Sequence, residues 1–157
     1  MTTMTDRELV TTRVIPFPRS RVFGAWSDPT ELALWWGPGG FTSTFHEFNF
    51  RPGGTWRFVM HGPNGGHYDN EITFLQIVEP ERIVLQHISE PHFHIHVRFH
   101  ADENGTTIVW RMLFDSPEEC ARVRTLSVGA NEENIDRLEA HLSRSGRSEK
   151  PAAPGGL

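Results

Sequence analysis

Nine histidines in a chain of 157 residues invite metal or acid–base chemistry, and four of them stand in one run. His92, His94, His96 and His100 share a parity, so an extended backbone puts them on one face. Imidazoles two residues apart on a strand can converge on a single ion, which is the metal reading. The residues between them, Phe93, Ile95, Val97 and Phe99, make an apolar face on the other side. That face is the one to bury, so the histidines point to solvent. No Cys, Asp or Glu at ligand spacing completes a set, and neither a metal nor a cofactor is expected. His46, His61 and His87 stand elsewhere. Beside an apolar cavity any of them could be a general base, since imidazole titrates near neutrality; each could equally be a hydrogen-bonded structural group. No nucleophile–base–orienter set surrounds them. Cys120 falls in the first turn of a helix, where the dipole favours a thiolate, but a lone helical cysteine is more often inert.

A second group of residues suits a binding cavity. Trp35-Trp36-Gly37-Pro38-Gly39-Gly40 places two indoles directly before a turn. Adjacent side chains point in different directions, so one indole can pack in a core while the other faces a cleft. Tyr68 and Asn70 share a strand face with Ile72 and Phe74. If that face lines a cavity, they are the sparse polar groups that orient an apolar ligand; otherwise they sit at a strand end and meet water. Trp56, Phe58, Met60, Trp110, Met112 and Phe114 are candidates for the apolar lining or for plain core. Asn134 lies a turn after Ala130 and a turn before Leu138, on an inward helical stripe.

The elements that must position these groups can be read from periodicity and punctuation. Glu8 to Ile15 reads as a strand, broken by Pro16 and Pro18. Ser20 to Trp26 reads as a helix, with Val22, Phe23 and Trp26 at helical spacing. A second short helix starts at Asp28-Pro29, a capping residue followed by a first-turn proline, and stops at Gly37-Pro38. Six strands follow, over 42–50, 55–61, 67–78, 82–88, 91–101 and 106–114, joined by Pro/Gly/Asn turns. Ser116-Pro117-Glu118-Glu119 opens a helix that runs to about His141, with Val123, Leu126, Ala130, Ile135, Leu138 and Leu142 as its apolar stripe. Residues 1–7 read as a flexible N-terminus, 8–142 as one domain, and 143–157 as a disordered tail rich in Ser, Pro and Gly. Hairpin-length links make the sheet antiparallel, and only the long helix is large enough to cover its face. The fold class is α+β.

Composition narrows the function. A net charge of −5 argues against nucleic acid, because phosphate binding rests on excess Lys and Arg. No apolar run reaches the length of a membrane span, and no signal-peptide pattern opens the chain. One cysteine allows no internal disulfide, which fits a reducing cytoplasm.

The order of elements resembles the helix-grip fold of the START/Bet v 1-like (SRPBCC) superfamily. Pro16 to Phe23, Trp35 to Pro38, Arg51-Pro52-Gly53-Gly54 with Trp56 and Phe58, Met60 to Pro63, and Ile77 to Val84 resemble its branch related to the activator of heat-shock-protein-90 ATPase. The resemblance spans Val10 to His141. It implies a curved antiparallel sheet wrapped around a long C-terminal helix, with two short helices between the first strands. Members of the superfamily bind lipids, hormones or polyketides, some act as cyclases, and one branch stimulates a chaperone, so fold alone does not settle function.

Three functions follow as expectations. The first is binding of a small, mostly apolar molecule (a lipid, an aromatic or a polyketide-like compound) between sheet and long helix. Its site would use Trp35, Trp36, Trp56, Phe58, Met60, Tyr68, Asn70, Ile72, Trp110, Met112, Asn134 and Leu138. The second is an enzyme of cyclase, dehydratase or hydrolase type in the same cavity. The third is a chaperone-regulating or other protein-interaction module, which an exposed Trp35–Trp36 pair would favour and a buried pair would not. A homodimer stays open.

Overall fold

A computed structural model describes residues 2–4 and 7–149. The elements run β1 (Thr2–Met4), β2 (Glu8–Ile15), α1 (Arg19–Ser27), α2 (Pro29–Trp35), β3 (Thr42–Phe48), β4 (Thr55–His61), β5 (His67–Val78), β6 (Arg82–His87), β7 (Phe93–Asp102), β8 (Gly105–Leu113) and α3 (Pro117–Glu149). All strands join one eight-stranded antiparallel sheet in the order β1-β2-β8-β7-β6-β5-β4-β3. From β3 to β8 each strand pairs with the next in sequence, as hairpin-length links require. The sheet curves, and the bulges between Phe45 and Glu47 and between Phe74 and Gln76 add bend where the ladder slips. The tight β7–β8 turn needs Gly105, which sits at φ +126; a Cβ there would strike the carbonyl of Ile15.

Period two decides the two faces. Leu9, Ile15, Trp56, Phe58, Ile72, Phe74, Ile83, Leu85, Ile95, Val97, Phe99, Ile108 and Trp110 are buried on the inner face. α3 lies across that face and seals it with Ile135, Leu138 and Leu142, each fully buried. Val123 packs at the margin, and the Leu126 side chain lies outside the described residues. β8 turns Ile108, Trp110 and Met112 inward, which resolves a strand with apolar residues on both faces. The α2 start is as its sequence requires: Asp28 Oδ1 accepts from Thr30 N at 2.9 Å, with Pro29 behind it.

Two ends differ from the sequence reading. Thr2–Met4 adds an edge strand on β2, in register Thr2 to Thr11, where no strand signal was evident. Three residues are too few for a period to register, and the partner strand supplies the template. At the other end α3 continues past His141 to Glu149. Ser143 sits within this extension, its Oγ donating back to Glu139 O at 3.0 Å. Pro151 is the first residue after that point that cannot extend a helix; residues 150–157, with Met1, Thr5 and Asp6, lie outside the described residues.

Candidate functional site

The five tryptophans of the chain gather in one cluster. Trp26 meets Trp35, Trp36 and Trp110 edge to face, with centroids 5.0, 5.7 and 5.6 Å away. Trp36 stacks on Trp110 at 5.7 Å and 8°. Trp35 is fully buried and donates Nε1 to Ala25 O at 3.1 Å. The Nε1 groups of Trp26, Trp56 and Trp110 are buried with no acceptor among the described residues. Edge-to-face rings around Trp26 give its N–H a weak π acceptor at best.

Beside this cluster, between the sheet, α3 and the turn after α2, lies a cavity of about 130 Å³. Its wall is chiefly apolar: Trp36, Phe58, Met60, Ile72, Ile95 and Trp110, with Phe93 and Met112. Four side chains bring polar atoms to it, namely Asn70 from β5, His87 from β6, and Asn131 and Asn134 from α3. Sparse polar groups in an apolar wall are the usual composition of a small-molecule site. Larger grooves of about 410 and 600 Å³ lie on the surface, one across Arg57, Asp69 and Glu71 and one at the β7–β8 turn. The first sets Arg57, Asp69 and Glu71 beside Phe58 and Val59, and the second sets Pro16, Phe17 and Pro80 beside Arg19, Asp102 and Glu103, so charged groups share both walls.

Of the residues expected at a site, Trp36, Phe58, Met60, Asn70, Ile72, Trp110, Met112 and Asn134 line the cavity. Trp35, Trp56 and Leu138 do not; all three are fully buried in the core behind it. Tyr68 does not either. It is 48% exposed, because β5 runs past the cover of α3, and its ring leans on Phe41 at 6.2 Å. Phe114 is buried, with its ring 5.7 Å from that of Phe93, and it is not a wall residue. The histidine run of β7 points outward as expected, and no metal-binding group of three or more ligands exists among the described residues. His46 lines an outer groove, and His61 faces His67 across the strands with Nδ1 atoms 2.7 Å apart. Cys120 is buried.

Of the three histidines named as possible acid–base groups, His46, His61 and His87, His87 is the one that lines the cavity. It is 5% exposed and stacks on Phe93 at 4.5 Å and 6°. Its Nδ1 lies 2.8 Å from both Ser89 O and Pro91 O. Carbonyls only accept, so Nδ1 carries the hydrogen and donates to both. Nε2 faces Asn70 Oδ1 at 2.7 Å, while Asn70 Nδ2 donates to Tyr68 O at 2.9 Å. Burial pushes the His87 pKa down; the bonds to Pro91 and Ser89 push it up by less, and the nearby His92 pushes it down again.

The turn that forms one wall is clasped by α3. Arg137 Nη1 donates to Gly37 O at 2.9 Å, Pro38 O at 3.0 Å and Trp36 O at 3.3 Å, and Nη2 reaches Leu34 O at 3.3 Å. A guanidinium fork meets the carbonyls that α2 leaves open at its C-terminus. Asn134 Nδ2 donates to Trp35 O at 3.0 Å, and Glu133 Oε1 accepts from Gly39 N at 3.0 Å. Gly37 sits at φ +103, which lets the turn close over Met60.

A curved antiparallel sheet closed by a long C-terminal helix is the helix-grip fold. More narrowly, the chain belongs to the family described as Activator of Hsp90 ATPase homolog 1-like protein, whose profile matches residues 16–143. Solved structures agree on the fold. A solution structure of a protein from Arthrobacter aurescens has a TM-score of 0.85 at 23% identity, over 92% of this chain and 91% of that one. A crystal structure of a protein from Mycobacterium smegmatis has a TM-score of 0.82 at 23% identity, over 92% and 98%. The AHSA1-like protein from Aeromonas hydrophila has a TM-score of 0.73 at 18% identity, over 88% and 94%. A search of curated proteins returns no match. No described helix is long and apolar enough to cross a membrane.

Proposed function

We propose that the protein binds a small, mostly apolar molecule of about one aromatic ring in the cavity between the sheet and α3. The observation that carries this is the cavity itself: about 130 Å³, walled by indole, phenyl and thioether groups, with four polar side chains at its surface. A dry engineered cavity of about 150 Å³ takes benzene, whereas drug-sized ligands fill roughly 300–1,000 Å³. A ring fits with small adjustments of Met60 and Met112; a lipid or polyketide needs the turn over 36–40 to open. Desolvation drives binding, and Asn70, His87, Asn131 and Asn134 orient the ligand.

Burial of both Trp35 and Trp36 supports the pocket over a partner surface at that pair. An enzyme in the same cavity would rest on His87, the one titratable wall residue among the described ones. The single buried thiol suits a reducing compartment, and the cytoplasm is the proposed location. The test is a thermal-shift and NMR series with toluene, indole, benzyl alcohol and decanol. One-ring compounds are expected to raise Tm and move the indole N–H signals of Trp36 and Trp110, and decanol is not. Failure of every one-ring compound to bind overturns the reading.

A further inference from the structure

The wall around His87 is short of one hydrogen. Nδ1–H is fixed by two carbonyls, so a neutral ring presents a bare lone pair at Nε2. That lone pair faces Asn70 Oδ1, another acceptor. Turning the amide over brings Nδ2 to Nε2 but sets Oδ1 against Tyr68 O, which moves the conflict without removing it. Only the doubly protonated imidazolium satisfies every contact in the chain from Pro91 to Tyr68.

Among the described residues no carboxylate supports that cation. β5 faces His87 with Asn70 and Ile72, and β7 faces it with Phe93. Asn131 and Asn134 of α3 line the same cavity, and both are uncharged. In the β6–β7 loop the nearby charges are His92, which disfavours a second cation, and Glu90, which pairs with His92 at 3.2 Å. Arg137 donates to the carbonyls of residues 34–38. Burial without a counter-charge therefore holds His87 below the ordinary histidine range. A second deficit belongs to a residue of the same wall: Trp110, only 2% exposed, has its Nε1 buried without an acceptor among the described residues.

One proton and one acceptor are what a weak organic acid supplies. We infer that the ligand of this cavity is a one-ring aromatic acid, bound as its anion against a protonated His87. The step balances: the acid O–H breaks, an N–H forms at Nε2, and the pair of charges stays in the cavity. An acid already ionised in solution draws the same proton from solvent instead. This inference rests on the binding reading above and adds the ligand class.

Benzoate and benzyl alcohol separate the two ideas, since they share a ring and differ in charge. Titration calorimetry at about pH 7.5 in two buffers of different ionisation enthalpy should give uptake of about one proton per benzoate and none per benzyl alcohol. His87→Gln should abolish the uptake and weaken benzoate by at least about tenfold more than it weakens benzyl alcohol. Asn70→Asp, which places a fixed carboxylate at Nε2, should do the same while keeping the imidazole. Benzyl alcohol binding with benzoate no tighter, or benzoate binding without proton uptake, overturns this inference and leaves the cavity reading standing. Failure of both ligands overturns the cavity reading and this inference together.

Discussion

Trp36 and Trp110 stack nearly parallel, 8° apart with centroids 5.7 Å from each other, although one ends α2 and the other lies on β8. The stack forms a continuous part of the cavity wall, so its loss should act on stability and on ligand size together. Trp36→Ala is expected to cost about 3–5 kcal/mol, as other buried Trp truncations do. The enlarged cavity should then accept a two-ring compound such as naphthalene. Urea unfolding checks the first effect and a thermal-shift series the second.

Arg137→Met keeps the length of the stem and removes the donors that hold residues 34–38. Four carbonyls then turn to water or stay unpaired, and a stability loss of about 1–3 kcal/mol is expected from uncompensated polar groups. Hydrogen exchange at the Gly39 amide, bonded to Glu133 in the same clasp, should accelerate well beyond any global destabilisation.

Gly37→Ala meets two obstacles. Its φ of +103 is costly for a residue with a side chain, and the new Cβ would stand 2.8 Å from Met60 Cε. The backbone alone should cost about 1–3 kcal/mol. Because Met60 lines the cavity, displacing its methyl should weaken toluene binding as well, which a titration of the folded variant would read.

Acid should weaken the fold in two windows. Burial raises the Glu31 pKa, but the bonds from His141 at 2.8 Å and Arg21 at 2.9 Å outweigh it, and the carboxylate ends below its ordinary value of 4.5. A depressed carboxylate contributes stability above its unfolded pKa and loses it as pH falls through the folded one. Glu31→Gln should flatten the stability curve below about pH 4.5. His87 acts earlier. Its folded pKa lies below the ordinary 6.5, so the unfolded chain binds the proton first and stability falls from about pH 6.5 downward. Unfolding curves collected from pH 8 to 3 on both single variants, His87→Gln and Glu31→Gln, should assign each window.

The element order was legible because each signal is local. Asp28-Pro29 and Ser116-Pro117 start helices wherever they occur, and the alternation of His and apolar residues from His92 to His100 assigns faces without knowledge of the partner strands. Depth within the fold was not legible. Trp56 and Phe58 share one face of β4, yet only Phe58 reaches the cavity. Tyr68 has the parity of Asn70 and fails for the opposite reason, lying beyond the cover of α3. His87 did carry a signal: it continues the series Ile83, Leu85, and the period that buries those two buries it as well. Its partners, the carbonyls of Ser89 and Pro91, depend on the path of a loop, which no periodicity encodes.

The order of synthesis gives the position of α3 a further meaning. Every strand of the sheet and all five tryptophans precede Pro117 in the chain. A nascent chain can pair its strands while its indole face still lacks a roof. Until α3 leaves the ribosome, a broad apolar surface is open to whatever is near, including other nascent chains. A helix made after every strand therefore decides both when the indole face is covered and when the cavity first exists.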